Sequence, residues 1–357
     1  MNVNDFKNRI FEIENAQDFN VLALEAFEFQ RERCPVYREY LNLIEKGEFH
    51  PKSVEEIPFL PIRFFKSRDV ISGDFCKEKS IVFTSSATTG MVPSHHIVKD
   101  ISVYERSFRT GFSRFFNCRT VGSYNLLALL PSYLERKGSS LVYMAEKLIA
   151  DTKANGAEGG FFLYNHGELL SKLKMLSDET NTQKRTTILL GVSFALLDFA
   201  AYVKERIPDT EQRKNIFGNV IIMETGGMKG RGQELSRQEL HSRLSDAFRV
   251  SSICSEYGMC ELLSQAYSFR TEWFFTPPWM RVLARDIQDP FRILSREPYA
   301  LGGLNIIDLA NIDSCCFIET EDCGRVSHSE KRSVLPAFTV DGRIKNAELR
   351  GCNMLIE

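Results

Sequence analysis

The sequence contains no C-x-x-C pair, and of its nine cysteines only Cys315 and Cys316 are adjacent. That spacing argues against a zinc site, and an odd number of scattered thiols fits a reducing, cytoplasmic compartment. No apolar run is long enough to span a bilayer. The polar start Met1-Asn2-Val3-Asn4-Asp5-Phe6 is not that of a signal peptide. A net charge of −2 over 357 residues, with a pI near 6.4, offers no basic surface to nucleic acid or an anionic membrane. Internal repeats, low-complexity tracts and long linkers are missing as well. What remains is the composition of a globular protein long enough for one large domain or two smaller ones.

The apolar run Ile81-Val82-Phe83 reads as a buried strand, and it leads into Thr84-Ser85-Ser86-Ala87-Thr88-Thr89-Gly90. Five hydroxyl side chains and a glycine around one point suit a polyphosphate. The G-K-[ST] ending of a Walker loop is absent, and taken alone the stretch is equally a polar surface turn. Before it, apolar spacing predicts a helical layer over the first ~50 residues, with Pro35 opening one helix and Gly47 stopping it. Beyond it, helix is expected over 103–116 and 169–176, and strand over 124–130 and 160–164. The pattern then alternates: strand at 187–191, helix at 194–206, strand at 220–223, helix at 235–248, strand at 250–254. Such strand–loop–helix units predict α/β architecture, a parallel sheet with flanking helices. Ligands of such sheets bind beyond the carboxyl ends of the strands. From about residue 280 short strands without long helices predict a small β-rich subdomain.

Four polar stretches follow predicted strands. In Glu256-Tyr257-Gly258-Met259-Cys260-Glu261, Tyr257 can stack on a purine, Gly258 lets backbone approach it, and Glu261 can hold Mg²⁺ against phosphates. In Thr320-Glu321-Asp322-Cys323-Gly324, Asp322 can accept ribose hydroxyls, although Asp-x-Gly is also ordinary turn chemistry. Gly342-Arg343 offers an arginine to phosphate or ribose, and is also an ordinary surface pair. Gly191-Val192-Ser193-Phe194-Ala195 lies between strand and helix as a hydrolase's nucleophilic serine would, but the usual second glycine is Ala195.

Taken in order, these stretches resemble the adenylate-forming superfamily of acyl and aryl ligases. More narrowly, the chain resembles the acyl-protein synthetases of bacterial luminescence and their non-luminescent relatives. The narrower likeness is carried by Leu130-Pro131-Ser132-Tyr133-Leu134-Glu135-Arg136, Glu224-Thr225-Gly226-Gly227-Met228-Lys229-Gly230, Ser255 to Gln265, Pro277 to Val282 and Arg350-Gly351-Cys352-Asn353. It covers roughly residues 55–357.

The resemblance implies an N-terminal helical segment at 1–75, an AMP-binding domain at 76–341, and a short tail at 342–357 replacing the usual C-terminal domain. It implies an AMP-forming carboxylate–thiol ligase that uses ATP and Mg²⁺. A carboxylic acid, a fatty acid in the luminescence enzymes, becomes an acyl-adenylate, and a thiol then takes the acyl group. Ser85, Ser86, Thr88, Thr89 and Gly90 would cradle phosphates. Gly226 and Gly227 would lie along the adenine, with Tyr257 stacked on it beside Gly258. Glu261 would help hold Mg²⁺, Asp322 would bind ribose, and Arg343 would contact ribose or phosphate. Cys352 matches the tail cysteine that carries the acyl group to a reductase or carrier protein. A coenzyme A ligase of the phenylacetate type is the nearest alternative, and a non-catalytic nucleotide-binding subunit of an acyl-transfer complex the next. Ala87 stands where the superfamily usually has glycine. The usual C-terminal lysine has no counterpart, and Lys229, Arg231 and Arg343 are the candidates to supply its charge.

Overall fold

The computed structural model describes residues 1–74, 80–85, 92–116, 124–132, 136–178, 185–226, 235–294, 299–327 and 337–344. The chain forms two compact units, Met1–Phe75 with Pro278–Glu357, and Cys76–Pro277.

The first unit opens with helices α1 (Val3–Arg9), α2 (Ala16–Arg33) and α3 (Pro35–Leu43), followed by strand β1 (Leu60–Pro61) and the short α4 (Phe64–Ser67). Local rules explain the boundaries. Asn2 and Asn15 accept the first free N–H groups of α1 and α2, and Pro35 occupies the first turn of α3.

The second unit begins with a hairpin of β2 (Ile81–Thr84) and β3 (His95–Val98), then α5 (Ile101–Phe115). There follow β4 (Asn125–Leu129), α6 (Ser140–Ala154), β5 (Gly159–Phe161), α7 (His166–Ser177), β6 (Thr187–Val192) and α8 (Ser193–Arg206). The unit closes with α9 (Thr210–Phe217), β7 (Val220–Thr225), α10 (Arg237–Phe248), β8 (Cys254–Tyr257), β9 (Ala266–Phe269) and β10 (Phe274–Phe275). Its sheet runs β10-β9-β8-β7-β6-β4-β5; β8 through β5 are parallel, and β9 and β10 add antiparallel partners. The residues of β4 and β6 are buried throughout, as strands covered on both faces must be. Ser236 and Glu239 form a capping box that starts α10, and Arg249, at φ 59°, ends it.

The remaining strands return to the first unit: β11 (Met280–Arg285), β12 (Leu301–Asp308), β13 (Phe317–Ser327), β14 (Ala337–Phe338) and β15 (Gly342–Arg343). β11, β12 and β13 form an antiparallel meander, with β1 parallel and β14 and β15 antiparallel to β13. The Gln30 amide on α2 joins the two ends of the chain. It donates to the carbonyls of Asn311 and Ile312 at 3.0 Å and accepts from the Cys316 N–H at 2.8 Å. Trp279 is fully buried, edge-on to Phe11.

The mixed α/β architecture and the β-rich segment after residue 280 agree with expectation. Strand β8 differs: it spans Cys254–Tyr257, not 250–254, because the Val250 N–H still closes α10 on the Ser245 carbonyl and pairing with β7 and β9 begins only at Cys254. No helix among the described residues is long and apolar enough to cross a membrane.

Candidate functional site

The carboxyl ends of the parallel strands lie in register. Val192 of β6 is paired with Thr225 of β7, and Thr225 with Glu256 of β8. The predicted residues Gly226, Tyr257 and Gly258 therefore follow one another across the edge of the sheet. Gly226 has φ +68°, a left-handed conformation that favours glycine. Ser193 donates its hydroxyl to the Gly226 carbonyl at 2.5 Å, tying the start of α8 to the end of β7.

That bond also decides the role of Ser193. A nucleophilic serine must aim its proton at a base. Here the acid stands in the middle: Glu224 Oε2 is 3.5 Å from Ser193 Oγ, and Glu224 Oε1 is 3.5 Å from His241 Nε2. The order is serine–acid–histidine, and Ser193 acts as a backbone clamp.

The hydroxyl hairpin is docked onto the turn that carries Glu261. The Ser85 N–H donates to the Ser94 carbonyl at 3.0 Å, and the Ser94 N–H donates to Ser85 Oγ at 2.8 Å, extending the β2–β3 pairing by one residue on each strand. The Thr84 N–H donates to the Gly138 carbonyl at 2.7 Å, fixing the hairpin to the segment beyond β4. His96, buried on β3, places Nδ1 3.0 Å from the Cys260 carbonyl. A carbonyl only accepts, so Nδ1 carries the hydrogen. Burial lowers the His96 pKa to about 4, and the nearby His95 adds to the effect. The Cys260 thiol approaches the Ser94 carbonyl at 4.0 Å. Burial, then the charge of Glu261, pushes that thiol well above its ordinary range, so it is no thiolate. Glu261 itself is buried within the turn. Two stretches 164 residues apart are thus one hydrogen-bonded assembly beside the end of β8.

Tyr257 is nine-tenths buried and packs against Phe274, with ring centroids 5.7 Å apart. Arg237 lies over the same Phe274 ring at 4.3 Å and donates to Ser255 and Ser268. Glu256 accepts a hydrogen bond from the Thr225 hydroxyl. A Cβ built on Gly258 would lie 2.5 Å from Glu256 Oε1, so a side chain here would displace the Glu256 carboxylate.

In the first unit, Asp322 on β13 lies opposite Arg343 on β15, with Arg343 Nε 3.6 Å from Asp322 Oδ1. Asp322 is largely buried and Arg343 is exposed. The two predicted ribose contacts are therefore neighbours. A cavity of about 220 Å³ in this unit, lined by Tyr40, Phe49, Phe59 and Phe291 among others, contains none of the predicted site residues. Ser86, Thr88, Thr89, Gly90, Gly227 and Cys352 lie outside the described residues, as do Lys229 and Arg231.

No protein-family profile and no curated protein matches the sequence. Among solved structures, the chain is similar to an artificially fused adenylation–PCP di-domain NRPS, NpsA-ThdA, from Klebsiella oxytoca. That match has 12% identity and a TM-score of 0.36, and covers 63% of this chain and 38% of that one. The chain is also similar to the adenylation, ketoreductase and pseudo-Asub multidomain structure of a keto acid-selecting NRPS module. There the identity is 13% and the TM-score 0.49, with 78% of this chain and 25% of that one covered.

Sequence reasoning overlooked His96, Thr225, Glu256 and Gln265. Glu256 and Gln265 were visible as neighbours of the Tyr257-Gly258 and Glu261 positions. His96 gave no signal, since one histidine in a short strand has no periodicity.

The donor set suits Mg²⁺ held largely by substrate. Among the described residues no group of three His, Cys, Asp or Glu side chains could hold a metal unaided. Mg²⁺ keeps waters and binds through one or two carboxylates plus phosphates of its ligand, so a single carboxylate such as Glu261 is a donor of the kind it uses.

Proposed function

We propose that this protein activates a carboxylic acid with ATP as an acyl-adenylate and then delivers the acyl group to a thiol. One observation carries the reading: the hairpin bearing the hydroxyl loop is bonded, through His96 and Cys260, to the turn bearing Glu261. The Glu261 turn follows β8 at the carboxyl end of the parallel strands, where such sheets bind ligands, and the separate β2–β3 hairpin is held against that turn.

In this reading a carboxylate oxygen of the acid bonds to the α-phosphorus of ATP, and pyrophosphate leaves with the electron pair of the broken P–O bond. Ser85, Ser86, Thr88, Thr89 and Gly90 hold the phosphates. Gly226, Gly227, Tyr257 and Gly258 receive the adenine, and Asp322 and Arg343 the ribose. Glu261 would hold Mg²⁺, which when bound would supply charge neutralisation of the phosphates. A thiolate then bonds to the acyl carbon and AMP departs. The first acceptor is Cys352, and an acyl-reductase or acyl-carrier protein takes the group onward.

The test is ATP–pyrophosphate exchange with a panel of carboxylic acids, fatty acids included. Exchange that depends on one acid supports the reading, and none with any acid, with or without carrier protein or coenzyme A, rejects it. With the active acid, Cys352→Ser should abolish a hydroxylamine-labile acyl label and leave exchange intact, because adenylation precedes thiol attack. A label that persists on free coenzyme A in the variant would select the coenzyme A ligase instead.

A further inference from the structure

One face of the β8–β9 pair carries polar groups that the reaction scheme above does not use. Glu256 and Tyr267 are directly opposite each other in the pair, so their side chains share a face. The Cβ position of Gly258 is 2.5 Å from Glu256 Oε1 and 3.4 Å from Gln265 Cγ, which puts Gln265 on that face too. Tyr257, one residue along, points to the opposite face. Two atoms on the Glu256 face are buried without a hydrogen-bond partner among the described residues: Gln265 Oε1 and the Tyr267 hydroxyl. Gln265 is 6% exposed and Tyr267 2%. Leaving such a group unpaired costs about 1–3 kcal/mol each, and folded proteins keep few of them.

The surroundings define what would pair with them. Gln265 Oε1 only accepts, while the Tyr267 hydroxyl accepts or donates. The Glu256 carboxylate, held by Thr225, accepts and repels anions. An anion is therefore disfavoured beside Glu256, and a hydrogen-bond donor is favoured. Phe112, Phe115 and Phe116 pack on the Tyr267 ring, with centroids 5.9, 5.0 and 6.1 Å away, so the polar groups lie among apolar side chains.

We infer that the acid activated by this protein is not a plain hydrocarbon acid but carries a hydrogen-bond donor, a hydroxyl or an amine, received by Gln265 and Tyr267 beside Glu256. The inference rests on the adenylate-forming reading. It places the nucleotide on the Tyr257 face and the body of the acid on the Glu256 face.

The experiment measures pyrophosphate exchange by the full chain with acids matched in skeleton: octanoate against hydroxy- and amino-octanoates, and phenylacetate against hydroxy- and aminophenylacetates. The wild type should favour a substituted member over its parent by about ten- to a hundred-fold in kcat/KM. Gln265→Leu and Tyr267→Phe should each lower that ratio about ten-fold, with the KM for ATP unchanged. Their melting temperatures should be equal to or above the wild type's, because each removes an unpaired buried group. The hydroxy and amino arms identify which donor is read. Preference for the unsubstituted acids, a ratio unmoved in both variants, or a fall in melting temperature in both, as expected if the two groups hold a structural water, would overturn the inference and leave acid activation standing. Absence of exchange with every acid would overturn both.

Discussion

Acid should loosen the second unit through His96. Its pKa is lowered from the ordinary 6.5 to about 4, chiefly by burial, while the bond to the Cys260 carbonyl opposes the shift. Between those values the unfolded chain binds a proton that the folded chain refuses, so stability rises with pH. The contribution is complete above about pH 6.5 and lost as the pH falls toward 4. The whole shift corresponds to roughly 3 kcal/mol, of which roughly 2 kcal/mol is gone by pH 5. His96→Asn is the informative variant, because its amide nitrogen stands where Nδ1 did and keeps the donor while removing the titration. Urea denaturation of both proteins at pH 7.5 and pH 5.0 cancels every other titrating group in the double difference. The wild type should lose about 2 kcal/mol more than His96→Asn over that interval. Parallel losses would show that protonating His96 costs the fold nothing, and the latch between β3 and the Glu261 turn would have to be abandoned.

Three further outcomes are expected. Gly226→Ala should cost about 1–2 kcal/mol of stability, the strain of a left-handed alanine at φ +68°, read from urea midpoints. Asp322→Ala should weaken ATP binding by about 1.5–3 kcal/mol in calorimetry, the range for hydrogen bonds to a charged group; unchanged affinity would remove Asp322 from the ribose role. Glu261→Gln keeps the shape of the side chain but not its charge, so it should raise the Mg²⁺ concentration giving half-maximal exchange, while identical Mg²⁺ curves would strike Glu261 from the metal site.

The alternating middle of the chain was the most legible part, because each element there carries its own periodicity. Strands β6 and β7 and helices α8 and α10 fall within a few residues of expectation. Helix α6 was missed although Val142, Ala145, Ile149 and Thr152 recur at three- and four-residue spacing on its buried side. Strands β3 and β9 were missed for a different reason. Each has four residues, and a run that short has no period to read. The grouping of the first 75 residues with residues 278–357 is not legible at all. It depends on contacts such as Gln30 to Cys316, whose partners are far apart in sequence and leave no local pattern. At the site, the glycine at 258 invites an argument from backbone freedom. The structure adds that the Glu256 carboxylate lies against the missing Cβ and would have to move for any side chain there.

The hydroxyl groups around the strand ends bear on what kind of chemistry this edge supports. Ser85 accepts from Ser94, and Ser193 donates to the carbonyl of Gly226. Thr225 donates to Glu256, Ser107 and Ser264 pair with each other, and Ser255 accepts from Arg237. Each of these side chains holds a backbone segment or another side chain in place. The cysteines nearby are no better suited to attack, since burial pushes Cys254 up to about 12 and raises Cys260 further. A covalent mechanism through a described residue of this edge would need one of these groups released and deprotonated. A reaction between two bound substrates needs neither. It needs glycine-lined space, oriented N–H groups and a fixed carboxylate, since direct attack of a carboxylate on phosphorus is governed by positioning and charge. Ser193 tied to the Gly226 carbonyl and the His96–Cys260 bond beside Glu261 fit such a scaffold, and the engaged hydroxyls and protonated thiols argue against a covalent intermediate on a described residue of this edge.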